Sequence, residues 1–153
     1  MHNVVIFDLD GTLALIDDRR AKSLLKNGKM DWDVFFDPKN IELDKPNMPV
    51  IHMARVLSMT GHDIVIFSGR SDATREATKA WLEKYKVPFN MMKMRPASGG
   101  FKFMPDDKLK QLWLDELFPD RNTIIGVFDD RQKVVDMWRS NGITCFQVAE
   151  GDF

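Results

Sequence analysis

The chain has 153 residues, 44% apolar and 29% charged, with a formal net charge of −1. That length suits one domain with a sizeable core, and the charge excludes a strongly basic nucleic-acid binder, although a local positive groove fits within a neutral average. The lone cysteine, Cys145, rules out an intramolecular disulfide and reads as a buried strand thiol; with no signal-peptide pattern at the start and no apolar run near the roughly 20 residues of a membrane span, the expectation is a cytoplasmic protein.

The first apolar run, 3–7, predicts a strand. A long segment follows, 13–47, with a polar helix candidate at 19–26 and an irregular stretch at 32–45. It exceeds an ordinary strand-to-helix connection and reads as a small cap inserted over the carboxyl end of the first strand. Within it, Trp32, Phe35 and Phe36 predict an apolar pad closing the insert onto the core, with base stacking as the alternative. Apolar periodicity then predicts a helix over 48–59, a strand at 63–67, a helix over 72–85, a strand at 89–94, a helix over 105–118, a strand at 123–128, a helix over 131–141 and a strand at 143–148. The strand runs are continuous and β-branched, not alternating, as in strands buried on both faces. The expected fold is α/β: a Rossmann-like parallel sheet of about five strands flanked by helices, forming a single domain over 1–153 with 13–47 as its cap.

Ligands of such sheets bind at the carboxyl ends of the strands. Polar clusters fall there: Asp8 and Asp10 after the first strand, Ser68-Gly69-Arg70 after the second, and Asp129-Asp130 after the fourth, with Lys110 in the helix leading into the fourth. Each has a plain alternative. Asp10-Gly11 suits a turn, and Asp130 suits a cap for the helix that follows. Arg70 suits a pair with Asp129 or Asp130, and Arg131 and Lys133 suit a solvated helix face. A calcium loop is excluded, because a strand precedes Asp8 and Arg19 holds the twelfth position where a Glu is required.

Convergence of these clusters carries the chemistry. Two carboxylates about 4 Å apart repel by roughly 4 kcal/mol at an effective dielectric of 20. A hard dication removes that cost, and an oxygen-only donor set points to Mg²⁺ rather than zinc. A carboxylate nucleophile, Asp8, splits phosphate-ester hydrolysis into two steps through an aspartyl-phosphate. Asp10, two residues on, is the expected group to protonate the leaving oxygen and then deprotonate the attacking water. A hydroxyl at a strand end, Ser68, suits a phosphate oxygen, with backbone N–H groups of the following turn assisting.

Asp8-Leu9-Asp10-Gly11-Thr12, Ser68, Lys110 and Asp129-Asp130 resemble the four motifs of the haloacid dehalogenase-like hydrolase superfamily. The resemblance implies that Asp8 is the nucleophile and Asp10 the acid/base, and that Ser68 and Lys110 bind the transferring phosphoryl group. It implies Mg²⁺ held by Asp8, the backbone carbonyl of Asp10, and Asp129 with Asp130; Lys108 competes with Lys110 for the lysine role. Asp8–Leu13, Arg19, Ser68-Gly69-Arg70, Asp106-Asp107-x-x-Lys110 and the run from Asp129 through Asp136-Met137-Trp138-Arg139 to Gln147-Val148-Ala149 and Gly151-Asp152-Phe153 are similar to the phosphatase module of phage polynucleotide kinase–phosphatases. That similarity implies removal of 3′-phosphates from DNA or RNA ends; a nucleotidase is the alternative, and no obligate protein partner is expected from the sequence. It implies Arg19, Arg70 and Arg95 as contacts to substrate phosphate or to the site acids, with Thr12 and Gly69 as further substrate-binding positions. No Walker-type phosphate loop is present, the 13–47 insert differs in composition from the family's, and the loop over 95–104 is longer.

Overall fold

The computed structural model describes residues 1–151. The chain runs β1 (Val4–Phe7), β2 (Ala14–Leu15), α1 (Asp17–Ser23), α2 (Trp32–Phe35), a 3-10 turn at Pro38–Leu43, β3 (Lys45–Pro46), α3 (Met48–Met59), β4 (Asp63–Ser71), a 3-10 turn at Asp72–Thr74, α4 (Arg75–Lys84), β5 (Met91–Arg95), α5 (Asp106–Leu117), a 3-10 turn at Arg121–Thr123, β6 (Ile124–Arg131), α6 (Gln132–Ser140) and β7 (Cys145–Gly151). Five strands form one parallel sheet in the order β5-β4-β1-β6-β7, the flanked parallel sheet that the apolar runs predict. Asp152 and Phe153, which end the run that carries the family resemblance, lie outside the described residues. Among those described, no helix is long and apolar enough to cross a membrane.

The continuous apolar runs follow from a sheet covered on both faces. Side chains alternate along a strand. Val5 and Phe7 of β1 therefore join Ile64 and Ile66 of β4 in a core closed by Ile51 of α3 and Leu82 of α4. Val4 and Ile6 join Val65 and Phe67 in a second core closed by Leu109 and Trp113 of α5 and Val135 and Trp138 of α6. Each such side chain contributes roughly 1.5–3 kcal/mol of burial. Central β1 is thus held from both sides, which fixes the acidic segment at its end.

Element boundaries depart from expectation where side chains intervene. β4 and β6 run past Phe67 and Phe128 to Ser71 and Arg131, with register shifts between Ser68 and Ser71 and between Asp129 and Arg131. The site residues therefore lie on irregular strand ends rather than beyond them, and such irregularities re-aim side chains. β5 starts at Met91 because the Asn90 side chain accepts from the Ile64 N–H at 2.8 Å, taking the place of a ladder bond. The helix expected over 72–85 opens as the 3-10 turn at Asp72–Thr74. Asp130 does not cap α6: Arg131 occupies the N-cap with no side-chain cap bond, and the Asp130 carboxylate meets Thr12 instead.

Segment 13–47 is more ordered than the sequence suggests. β2 pairs antiparallel with β3, and Asn47 donates from its side chain to the Thr12 carbonyl at 2.9 Å, so the two ends of the segment are stitched together. Its helix begins at Asp17 and stops at Ser23. The expected aromatic pad divides: Phe35 is buried and Phe36 packs on the same core, while Trp32 is 59% exposed.

Candidate functional site

Asp8 extends β1 by one residue, its N–H donating to the Phe128 carbonyl at 2.9 Å. A tight turn follows, closed by the Thr12 and Ala14 N–H groups on the Leu9 carbonyl. Its geometry turns Asp8 toward the end of β6. One Asp8 oxygen accepts from Lys110 Nζ at 2.7 Å, and the same ammonium reaches Asp129 at 3.2 Å. The Thr12 hydroxyl lies 3.3 Å from Asp8 and 3.2 Å from Asp130, and its single proton serves one of them at a time. Asp129 is fixed further by the Trp138 indole N–H at 3.1 Å and by the Asp130 N–H at 2.8 Å.

Asp8, Asp129 and Asp130 are all buried, and each offers a carboxylate oxygen within 4.8 Å of the others. Burial pushes the Asp8 carboxyl well above its ordinary range, with Asp129 adding to it, against the pull of Lys110. Asp130 is raised by burial as well. Burial draws the Lys110 ammonium down, but Asp129 and Asp8 outweigh it and hold the lysine firmly charged. One lysine does not balance three buried carboxylates. This all-oxygen set fits a small hard dication such as Mg²⁺, which would relieve the excess negative charge.

Asp10 occupies the opposite electrostatic setting. Its Oδ1 accepts from Arg19 Nη2 at 2.9 Å and from Arg70 Nε at 2.8 Å. Burial alone would raise this carboxyl, but the two guanidinium groups pull it below its usual value. Both arginines continue to Asp44: Arg19 Nε at 3.0 Å and Arg70 Nη2 at 2.7 Å, on separate oxygens. Arg19 Nη1 also donates to the Phe35 carbonyl and Arg70 Nη1 to the Thr78 hydroxyl, and the Arg19 guanidinium lies 4.3 Å from the Phe35 ring centre. Both arginine side chains are 0% exposed. Of the two expectations for them, the contact to site acids is the one seen here: both guanidinium groups donate to Asp10 and Asp44. Arg70 pairs with Asp10 and Asp44, not with Asp129 or Asp130.

Ser68 is buried, and its Oγ accepts from the Arg70 N–H at 3.2 Å. At Gly69 a Cβ would stand 2.6 Å from an Asp106 oxygen, so a larger residue there would displace the Asp106 carboxylate. Arg95 donates to the Gly69 carbonyl at 2.9 Å, to the Phe101 and Met104 carbonyls at 2.6 and 2.7 Å, and to Asp106 at 2.5 Å. Arg131 completes this set by donating to the other Asp106 oxygen at 2.7 Å, so it is not simply a solvated residue. Arg95 therefore fastens the loop over 95–104 to the Gly69 carbonyl and to Asp106. Lys108 lines a groove of about 390 Å³ between α5 and α6, together with Lys133 and Asp136. Lys110, not Lys108, meets Asp8. Cys145 is buried, and burial pushes its thiol up to about 12, so it is inert at neutral pH.

Sequence reasoning missed Asp44 and Trp138 as members of the site and gave Gly151 no structural part in it. Gly151 pairs with Arg131 across β6 and β7, and a Cβ there would collide with the Asp130 carboxylate.

The family model for the polynucleotide kinase PNKP phosphatase domain matches residues 2–153. The "Putative bifunctional polynucleotide kinase/RNA ligase" of Autographa californica nuclear polyhedrosis virus is 32% identical over 148 residues, 94% of this chain and 19% of that protein. A chain of the Pnkp1/Rnl/Hen1 RNA repair complex is 32% identical with a TM-score of 0.77, over 98% of this chain and 43% of its own length. A predicted phosphatase from Clostridium acetobutylicum shares the fold at a TM-score of 0.71 and 16% identity, over 96% of this chain and 84% of that one. The chain thus spans less than half the length of the first two relatives.

Proposed function

Since the chain belongs to the polynucleotide kinase PNKP phosphatase-domain family, within the haloacid dehalogenase-like superfamily, and is a phosphatase, we propose that it removes 3′-phosphates from nucleic-acid ends through a phosphoryl-Asp8 intermediate, with Mg²⁺ as cofactor. The observation that carries this reading is the contrast between two carboxylates two residues apart. Asp8 lies with Lys110, Asp129 and Asp130, whereas Asp10 lies with Arg19 and Arg70. Environments that push paired carboxyl groups apart assign them different roles.

In the first step a carboxylate oxygen of Asp8 bonds to phosphorus while the bond from phosphorus to the 3′-oxygen breaks. Asp10 gives that oxygen its proton. In the second step a water oxygen attacks the phosphoryl-Asp8, Asp10 takes the water's proton, and Asp8 leaves as inorganic phosphate forms. Both arginines contact Oδ1 of Asp10, so Oδ2 is the oxygen that carries the proton. Negative charge on the incoming phosphoryl group raises the proton affinity of Asp10 and loads it for the first step. Lys110 and Ser68, with the backbone at Gly69 and Thr12, hold the non-bridging oxygens. Bound Mg²⁺, held by Asp8, Asp129, Asp130 and the Asp10 carbonyl, would neutralise phosphoryl charge and keep Asp8 ionised. Arg19, Arg70 and Asp44 set the position and ionisation of Asp10. The chain is proposed as one phosphatase domain with 13–47 as a small cap, acting in the cytoplasm.

Phosphate release tests the reading, measured on one oligonucleotide carrying a 3′-phosphate, the same oligonucleotide carrying a 5′-phosphate, and a 3′-mononucleotide. The expected order puts the 3′-phosphorylated oligonucleotide highest in kcat/KM. Equal or better turnover of the mononucleotide would make the protein a nucleotidase instead.

A further inference from the structure

Phe103 is the most exposed large apolar side chain among the described residues, at 87%. It does not hang on a slack loop. The Met104 N–H donates to the Phe101 carbonyl at 3.2 Å, closing a turn with Lys102 and Phe103 at its tip. Arg95 grips the same turn through the Phe101 and Met104 carbonyls, and both flanking side chains pack on the second core. Gly99 and Gly100, with φ of +79° and +83°, bring the chain into it. The turn thus holds one aromatic ring in solvent, with the Lys102 ammonium 5.6 Å from its centre.

The turn stands beside the site. Arg95 ties it to the Gly69 carbonyl and to Asp106. Asp106 opens α5, one helical turn before Lys110, a rise of about 6 Å, and Lys110 touches Asp8. β5 runs parallel to its neighbours, so the loop leaving it emerges on the edge where β1 delivers Asp8.

On the reading that the substrate is a nucleic-acid end, we propose that Lys102 and Phe103 form a subsite for the substrate strand, with a nucleobase near the 3′ end stacking on Phe103 and a backbone phosphate meeting Lys102. Flat aromatic surface beside a cation is what single-stranded nucleic acid takes. A lone ring on a two-residue tip falls far short of the roughly 800 Å² per partner of a protein interface, but it matches one base. The subsite selects a polymer end by its last nucleotides, not by the phosphate alone.

The test compares a 3′-phosphorylated oligonucleotide with versions lacking the base at the last or the next-to-last nucleotide. The wild-type protein is expected to lose affinity, read as KM, by about tenfold for one of these versions, in line with the stacking strength of a single base. Phe103→Ala should abolish the discrimination and Phe103→Trp should keep it. Lys102→Gln should lower the salt slope of binding by about one phosphate contact. If the wild-type protein turns over the intact oligonucleotide and Phe103→Ala discriminates as well as it does, the subsite is wrong and the 3′-phosphatase reading stands. If the wild-type protein turns over no oligonucleotide, both fall together.

Discussion

Asp10 and Asp44 are held by the same two guanidinium groups, those of Arg19 and Arg70. The four charges cancel within a buried network, and Asp44 carries it to the end of segment 13–47, where its own carbonyl accepts from the Trp81 indole at 2.9 Å. Segment 13–47 and Asp10 are therefore one electrostatic unit. Arg19→Leu leaves the buried Asp44 and the partly buried Asp10 each short of a partner, a loss of about 3–5 kcal/mol for a broken buried pair. At this size a thermal melt should fall by roughly 10 °C. An unchanged melting temperature would mean that the pairs are not formed in solution.

The same substitution should move the pH–rate profile. Arg19 and Arg70 hold the Asp10 carboxyl below its usual value, overcoming the effect of burial. Removing one positive charge raises that carboxyl, so the acidic limb of kcat in Arg19→Leu should shift to higher pH, and Arg19→Lys should restore part of the difference. A profile that keeps its acidic limb while the rate falls would argue against Asp10 as the acid/base.

Asp44 gives a stability signature of opposite sign. Burial raises its carboxyl to about 6, against the pull of Arg70 and Arg19. The folded state therefore binds that proton more tightly than the unfolded chain does, and the associated stability is present below about pH 4 and fades as pH rises through about 6. Stability of the wild-type protein should decline relative to Asp44→Asn between those two values in denaturant titrations. Parallel curves would mean that Asp44 titrates as an ordinary carboxylate.

The sheet and the acidic centre were legible in the sequence, because continuous apolar runs and short motifs act locally. Val4 to Phe7 announce a strand buried on both faces, and Asp8 and Asp10 announce its end. The arginines were legible as residues but not in direction. Asp44 lies 26 residues from Arg70 in sequence and carries no local motif; only the fold of segment 13–47 brings them together. Trp138 reads as helix core, which it is, and nothing in the periodicity tells that its indole N–H finds Asp129. Strand ends were misplaced for a related reason: register shifts at Ser68–Ser71 and Asp129–Arg131 depend on the neighbouring strand.

Gly151 provides a check on the proposed metal centre from outside it. A methyl group there would push on the Asp130 carboxylate and the Arg131 backbone. Gly151→Ala should weaken Mg²⁺ activation by roughly 10- to 100-fold, the range typical of residues that support ligands. The apparent Mg²⁺ constant, from rates against metal concentration, reads this out. The same constant in variant and wild type would remove Asp130 from the metal set.

The direct measurement of the central claim is transfer of label from substrate to enzyme. Rapid mixing with an oligonucleotide carrying a radiolabelled 3′-phosphate, followed by an acid quench within one turnover and peptide mapping, should find the label on the peptide containing Asp8, with none in Asp8→Asn. Label that passes to water while the wild-type protein stays unlabelled at every quench time, or turnover retained in Asp8→Asn, would contradict the account.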